Sequence, residues 1–451
     1  MKTGMHVGGL TVKGREYAPS TSLIHGNAHS PSWDYKDGFH PPIVRSNTHR
    51  LVSVEEGFAR FCAFANPTDA LSDNPQGFIY ERLRAQSKCQ LEERLSMMEN
   101  AQATLVFATG MAAISGTCLA LMDLSRNHSI VRDPMIYGCS HDLFTTNFPS
   151  LNIDVQTADM SDIDDVLCKI DANGHKTRIL FFETPANPGL KLIDIPALRI
   201  IVDELNAERA PEDQILIVVD NTFATPYSQR PLNIGADFVS SSLTKNLNGF
   251  GTDMGGYVSF KEAQRFYTLI ARVLKNFGGV LSDNAAWDFL VYSLPTFMDR
   301  LEKKNNSAMQ LARFLENHLK VGDVIYPGLE SFSQYELAQR QMSTGLAGRF
   351  AAGDMIYFQL AQSQNESDED LLQKTKLFLN YIARESYAIM LAVSLGTQKS
   401  LIECPELMTH SCFTREALEN AKLLRAGIRF SVGAEYPGDL ENDLGEAFNN
   451  I

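Results

Sequence analysis

The chain has no C-x-x-C pair, and its seven cysteines, at positions 62, 89, 118, 139, 168, 404 and 412, are odd in number. That pattern argues against a disulfide framework and against a zinc or other metal site, and it suits a reducing compartment. No stretch of about eighteen uninterrupted apolar residues occurs, and the opening MKTGMHVGGLTVKGREYAPS has no apolar core of signal-peptide length. The expectation is a soluble, cytoplasmic protein. Positive charge is in short supply: 40 Lys and Arg stand against 54 Asp and Glu, for a net charge of −14. Nucleic acid and anionic membrane are therefore poor partners. A Walker loop, G-x-x-x-x-G-K-[ST], is absent, and so are internal repeats and long low-complexity tracts.

What is present is ordinary globular material, 44% apolar and 21% charged over 451 residues, long enough for two packed units. Residues 1–82, rich in Pro, His, Asn and Ser, show little periodicity and read as an extended N-terminal arm. Across 83–283 the texture changes. A helical pattern in CQLEERLSMMENAQ is followed by the apolar run ATLVFA and a second helical pattern, TGMAAISGTCLALMD. Short β-prone runs then recur at SIVRD, RILFFE, QILIVVD, ADFVSS and GGYVSF, with helical or loop-like segments such as IPALRIIVDELNAE between them. Alternation of this kind implies a mostly parallel, doubly wound α/β sheet. From 284 to 451 helical segments such as MDRLEKKNNSAMQLARFLENHL dominate, and Ser367 with Asp370 has the spacing of a helix cap. A smaller α/β C-terminal domain is expected there.

In open α/β sheets ligands gather outside the carboxyl ends of the strands, which directs attention to Gly110 with Met111, Asn187, Asp220 and Lys245. A strand running into T-G-M-A-A presents free backbone N–H groups at a helix start, suited to a phosphate, although a glycine there also serves simple turn geometry. Asp220 ends the buried run ILIVVD, so it needs a cationic partner or a capping role. Lys245, in SSLTKNLNGFGTDMGGY, is either a solvated loop lysine or a chemical group. One hypothesis joins them. Pyridoxal phosphate needs a lysine for its Schiff base, a carboxylate against its pyridinium nitrogen, and phosphate ligands from a helix start and hydroxyls. Lys245, Asp220, Gly110 with Met111, and Ser242 with Thr244 supply all of these.

The ordered motifs YER, ATGMAAI, YGCSH, ETPANPG, VVDNTFATP, SSLTKNLNG, AVSLG, MTHS and IRFSVG resemble the Cys/Met-metabolism family of pyridoxal-phosphate enzymes, over about residues 80 to 440. The resemblance implies the fold-type-I architecture, pyridoxal 5'-phosphate as cofactor, an amino-acid substrate and a homotetramer built from catalytic dimers. It further implies that Lys245 carries the cofactor and shuttles protons, that Asp220 holds the ring nitrogen protonated, and that Asn187 contacts the ring oxygen side. By the same likeness Tyr137 stacks on the ring and protonates the leaving group, and Tyr80 with Arg82 reaches the phosphate of a neighbouring subunit. Arg429 would bind the substrate α-carboxylate, with Ser394 lining the same end.

Peripheral residues bear on the branch of the family. Cys139, two residues after Tyr137, resembles the cysteine of methionine gamma-lyases, with a buried structural cysteine as the alternative. Val393 stands where cystathionine enzymes typically have a glutamate. Against these, Asn276 replaces an acidic residue of the gamma-lyase loop, Gln398-Lys399 resembles homoserine sulfhydrylases, and FCAFANPTDALSDNPQG looks like an insertion. After Y-x-R the usual Asn-Pro-Thr is replaced by Leu-Arg-Ala-Gln-Ser. The expected reaction is γ-elimination from methionine or a relative, with γ-replacement on an O-acylhomoserine, or a non-catalytic relative, as alternatives.

Overall fold

The computed structural model describes residues 11–12, 15–26, 38–65, 78–409 and 423–451. Most of the insertion around 61–78 lies outside these residues, as does the end of the M-T-H-S motif. A short ladder pairs β1 (Thr11–Val12) with β2 (Arg15–Glu16), and helices occupy Pro19–His25 and Val54–Ala65 within the stretch read as an extended arm.

The larger sheet contains β3 (Ala103–Phe107), β4 (Ser129–Arg132), β5 (Asp154–Thr157), β6 (Thr177–Glu183), β7 (Leu216–Asp220), β8 (Phe238–Ser242) and β9 (Gly256–Phe260), in the order β3-β9-β8-β7-β6-β4-β5. β9 runs antiparallel to both of its neighbours. All other pairs are parallel. The continuous apolar runs have a simple cause, since helices cover both faces. Along β6, Ile179 and Phe181 pack on one side with Ile114, Phe144 and Phe260, while Leu180 and Phe182 pack on the other with Val166, Leu198 and Val202. β5 shows no apolar run in the sequence because Asp154–Thr157 is a partly exposed, polar edge strand.

Local signals set the helices. The Ile195–Asn206 helix opens on Asp194, whose carboxylate accepts from the Ala197 N–H at 3.1 Å, and buries Ile195, Leu198 and Val202 at helical spacing. At Ser367 both halves of the capping box form, with Ser367 Oγ accepting from Asp370 N at 3.2 Å and Asp370 Oδ2 accepting from Ser367 N at 3.1 Å.

The second sheet consists of β10 (Val321–Ile325), β11 (Met355–Leu360), β12 (Ile389–Leu391), β13 (Ser400–Glu403) and β14 (Ile428–Ser431), in the order β10-β11-β14-β13-β12. Only β12 and β13 pair in parallel. Helices Phe297–Glu316, Asp368–Glu385 and Pro437–Asn449 supply Leu311, Phe378 and Phe448 to a core shared with Phe358 and Phe430. A mostly parallel sheet joined to this smaller α/β unit is the fold-type-I arrangement.

Candidate active site

Three parallel strands of the larger sheet end in polar residues at one place: β6 in Glu183, β7 in Asp220 and β8 in Ser242. A cavity of about 320 Å³ opens over these ends, where the geometry of an open α/β sheet puts ligands. Gly110, Met111, Tyr137, Asn187, Asp220, Ser242, Thr244 and Lys245 line it from the larger sheet's side, and Ser394 and Arg429 line it from the smaller unit.

The helix Gly110–Leu121 begins against Ser242. Its cap is Thr109, whose Oγ1 accepts from Ala112 N at 3.0 Å. Gly110 is favoured by close approach rather than by turn geometry, because a Cβ there would sit 3.0 Å from Ser242 Cβ and 3.3 Å from its Oγ. The start of a twelve-residue helix and Ser242 therefore stand close together at the cavity wall, a suitable cradle for a phosphate. Thr244 is differently engaged: its hydroxyl donates to the Gly255 carbonyl at 3.3 Å and accepts from Gly255 N at 3.1 Å. Its hydrogen bonds lock the loop after β8.

Asp220 accepts from Thr222 N at 2.8 Å, and Thr222 Oγ1 in turn accepts from Ser242 N at 2.9 Å. No Lys, Arg or His forms an ion pair with Asp220 among the described residues. Burial raises its carboxyl above the ordinary value. A part-buried carboxylate at a cavity wall without a cation of its own suits the ring nitrogen of pyridoxal phosphate, and together with the Gly110 cradle it shows that the residues fit that cofactor.

Lys245 lies in the turn Leu243–Leu247, which it breaks with φ −89° and ψ −132°. Its Nζ donates to Ser394 Oγ at 2.7 Å. Burial first, and the Arg429 charge second, lower its amine to about 8. Near neutral pH such an amine is available as a nucleophile and base. Ser394 has φ +82°, in the left-handed region, which turns its hydroxyl to Lys245 and its carbonyl to Arg429 Nη2 at 3.0 Å. Arg429 Nη1 also donates to Asn187 Oδ1 at 2.9 Å, and Nη2 pairs with Glu403.

Tyr137 stands at the cavity edge with part of its ring exposed. Its hydroxyl is pushed up to about 12 by burial and then by the adjoining Cys139 thiol, which donates to it at 3.4 Å. The phenol keeps its proton at neutral pH. Cys139 itself is exposed, which removes the buried structural alternative for that residue.

Two residues escaped the sequence reading. Glu183 accepts from Tyr137 N at 2.7 Å and from Asn187 N at 3.4 Å, and burial beside Asp220, its partner across the β6–β7 register, raises its carboxyl well above the ordinary range. The signal existed, since Glu183 ends an apolar strand just as Asp220 does. Glu403 pairs with Arg429 only because β13 and β14 are in register there, which no local pattern announces. Tyr80 and Arg82 are not in this chain's cavity: Arg82 donates to the Lys275 carbonyl at 3.1 Å and its guanidinium lies 5.6 Å from the Tyr80 ring centre. Asn276, Gln398 and Lys399 also lie outside the cavity lining, whereas Val393 and Met254, both exposed, form part of its mouth.

Comparison with known proteins agrees with this geometry. The family model described as Cys/Met metabolism PLP-dependent enzyme matches residues 20–449. An L-methionine gamma-lyase of Fusobacterium nucleatum is 34% identical over 410 residues, covering 91% of this chain and 93% of that protein. The solved structure of cystathionine gamma-lyase from Lactobacillus plantarum complexed with L-serine superposes with a TM-score of 0.80 at 27% identity, covering 96% of this chain and 99% of the other. Cystathionine gamma synthase from Xanthomonas oryzae in complex with aminoacrylate and cysteine gives 0.80 at 25% identity, covering 97% and 99%.

Proposed function

The chain belongs to the Cys/Met metabolism family of pyridoxal-phosphate-dependent enzymes, and from that membership we propose that it catalyses γ-elimination of L-methionine or a related γ-substituted amino acid, with water, to 2-oxobutyrate, ammonia and a thiol. The observation that carries this reading is the Tyr137–Cys139 contact beside a mouth formed by Val393 and Met254, where an uncharged thioether finds apolar neighbours and a proton donor.

When bound, the cofactor makes the substrate α-proton acidic and then the β-proton labile. Lys245 takes the α-proton and moves protons between these carbons, a task suited to an amine lowered to about 8. Asp220 holds the cofactor ring nitrogen protonated, while Gly110, Met111, Ser242 and the loop locked by Thr244 seat the phosphate. Arg429 grips the substrate α-carboxylate, with Ser394 and Asn187 orienting the guanidinium. Tyr137 donates the proton that leaves with the thiol. Tyr80 and Arg82 act on the phosphate of a neighbouring subunit, in a homotetramer of catalytic dimers.

Incubation of purified, cofactor-loaded protein with L-methionine tests this directly: 2-oxobutyrate and a thiol should appear, and their absence overturns the reading. The second reading, γ-replacement on an O-acylhomoserine, draws on Gln398-Lys399, Asn276 and the likeness to a gamma synthase. It predicts release of acetate from O-acetylhomoserine with formation of homocysteine from sulfide, or of a thioether from a thiol, at a rate exceeding methionine breakdown.

A further inference from the structure

The residue after Lys245 enters a closed triangle of buried side chains, none of which lines the cavity. Lys304 Nζ lies 2.6 Å from Asp354 Oδ2 and donates to Asn246 Oδ1 at 2.6 Å, while Asn246 Nδ2 donates to Asp354 Oδ1 at 2.9 Å. Exposure is 0% for Asn246 and Asp354 and 1% for Lys304. The amide thus uses its acceptor on the ammonium and its donor on the carboxylate, a double task for which a side-chain amide is chemically suited.

The three residues come from three parts of the fold: the turn after β8, the helix Phe297–Glu316, and the approach to β11. Arg300, one helical turn before Lys304, adds bonds to the Asn246 carbonyl at 3.0 Å and the Leu247 carbonyl at 3.1 Å. From the other flank, a Cβ on Gly396 would lie 2.5 Å from Asn246 N and 2.9 Å from Lys245 C, so the loop carrying Ser394 rests directly on the lysine's peptide unit. Asp354 is tied to the second sheet through its carbonyl, which accepts from Val432 N at 2.9 Å.

Stability alone is a weak reason for this arrangement. Burying an ammonium and a carboxylate carries a desolvation penalty that their attraction only roughly offsets, and apolar replacement of such a pair is often neutral or stabilising. Burial accordingly lowers the Lys304 amine, with the Asp354 charge opposing it. What a well-packed apolar trio would not supply is directional hold on the peptide that follows the lysine.

We propose that the Asn246–Lys304–Asp354 triangle is a positioning device that fixes the backbone at Lys245 relative to the second sheet, and so sets the aim of its amine toward the cofactor and toward Ser394. The inference rests on the reading of Lys245 as the cofactor-bearing lysine. Around that amine stand Arg429, Glu403 and Cys139 as charged or titratable neighbours, and none of them is altered by changing the triangle.

The test uses Lys304→Met/Asp354→Leu, which removes both charges together, and Asn246→Ala, which removes the bridge and leaves the ion pair. Three quantities are read on full-length protein: thermal stability, the dissociation constant for pyridoxal phosphate, and the pH profile of Lys245 trace acetylation in cofactor-stripped protein by peptide mass spectrometry. The double variant should keep or raise its melting temperature yet bind cofactor at least about 10-fold more weakly. Its Lys245 midpoint should rise from about 8 toward the ordinary 10.5 as the amine gains water. Asn246→Ala should move both readouts the same way, and it decides the matter if the double variant does not fold. Affinity within about twofold of wild type, with an unmoved midpoint, overturns the proposal. Lys245→Ala separates the two layers: a Schiff-base absorbance that persists in it with cofactor alone removes the underlying reading, whereas a Schiff base lost only in it, with the triangle variants like wild type, refutes the triangle alone.

Discussion

On the larger sheet's side of the cavity the polar groups stand where strands stop: Glu183, Asp220 and Ser242 close three parallel strands, and Lys245 follows three residues later. On the smaller sheet's side they stand where strands pair: Glu403 faces Arg429 across an antiparallel register, and Ser394 reaches in from a left-handed residue between β12 and β13. The first wall holds groups suited to a cofactor, with a carboxylate awaiting a cation. The second wall is already neutralised internally, Arg429 by Glu403, so the arginine proposed for the substrate carboxylate is not a bare buried charge. The two walls meet through the hydrogen bonds from Lys245 to Ser394 and from Arg429 to Asn187.

If the division of labour is right, damage to each wall should produce a different kinetic signature. The largest effect is expected on the first wall: Lys245→Ala should lower turnover of methionine by at least about 10²- to 10⁴-fold, the range for a lost general acid–base group, without lowering thermal stability. Assay of 2-oxobutyrate beside a melting curve checks both halves. Arg429→Leu attacks the second wall and should raise KM at least about 30-fold, since truncating one member of a buried charge pair costs about 2–5 kcal/mol. Here the melting temperature should also fall, because Glu403 is left buried and unpaired. Equal losses of kcat and KM at both sites would erase the distinction.

A smaller effect is expected at the edge between the walls. Cys139→Ser should change kcat for methionine about two- to tenfold, the worth of one ordinary hydrogen bond to the Tyr137 hydroxyl. An unchanged steady-state rate removes Cys139 from the site.

The smallest effect concerns stability against pH beneath the first wall. Glu99, buried and accepting from the Tyr257 hydroxyl, is raised by burial from 4.5 to about 7. The folded state therefore holds a proton that the unfolded state releases, so this contribution is complete below 4.5 and is lost as pH rises through 7. Denaturant unfolding of Glu99→Gln from about pH 5 to about pH 8 should show a shallower loss of stability than wild type over that range.

How far the sequence could be read follows from the same comparison. Asp220, Lys245 and the Thr109-Gly110 junction were legible because each abuts an apolar run whose end is visible locally, and Glu183 carried the same signal unread. Ser367 and Asp370 were legible as a cap because three-residue spacing is local too. β5 was not, since an edge strand with polar residues has no apolar period. Nor was the second sheet strand by strand, where four-residue segments such as Ile428–Ser431 are too short for periodicity to separate strand from helix.

By itself the sequence determined the kinds of chemistry available and the ends of the strands that bear them, because hydrophobic runs, caps and strand termini depend on near neighbours along the chain. Only the tertiary structure decided that Arg429 meets Asn187 across 242 residues, that Lys245 meets Ser394 across 149, and that Asn246 closes a buried triangle with Lys304 and Asp354. Those contacts depend on sheet register and on how two packed units abut, and residues so far apart in sequence carry no local trace of either.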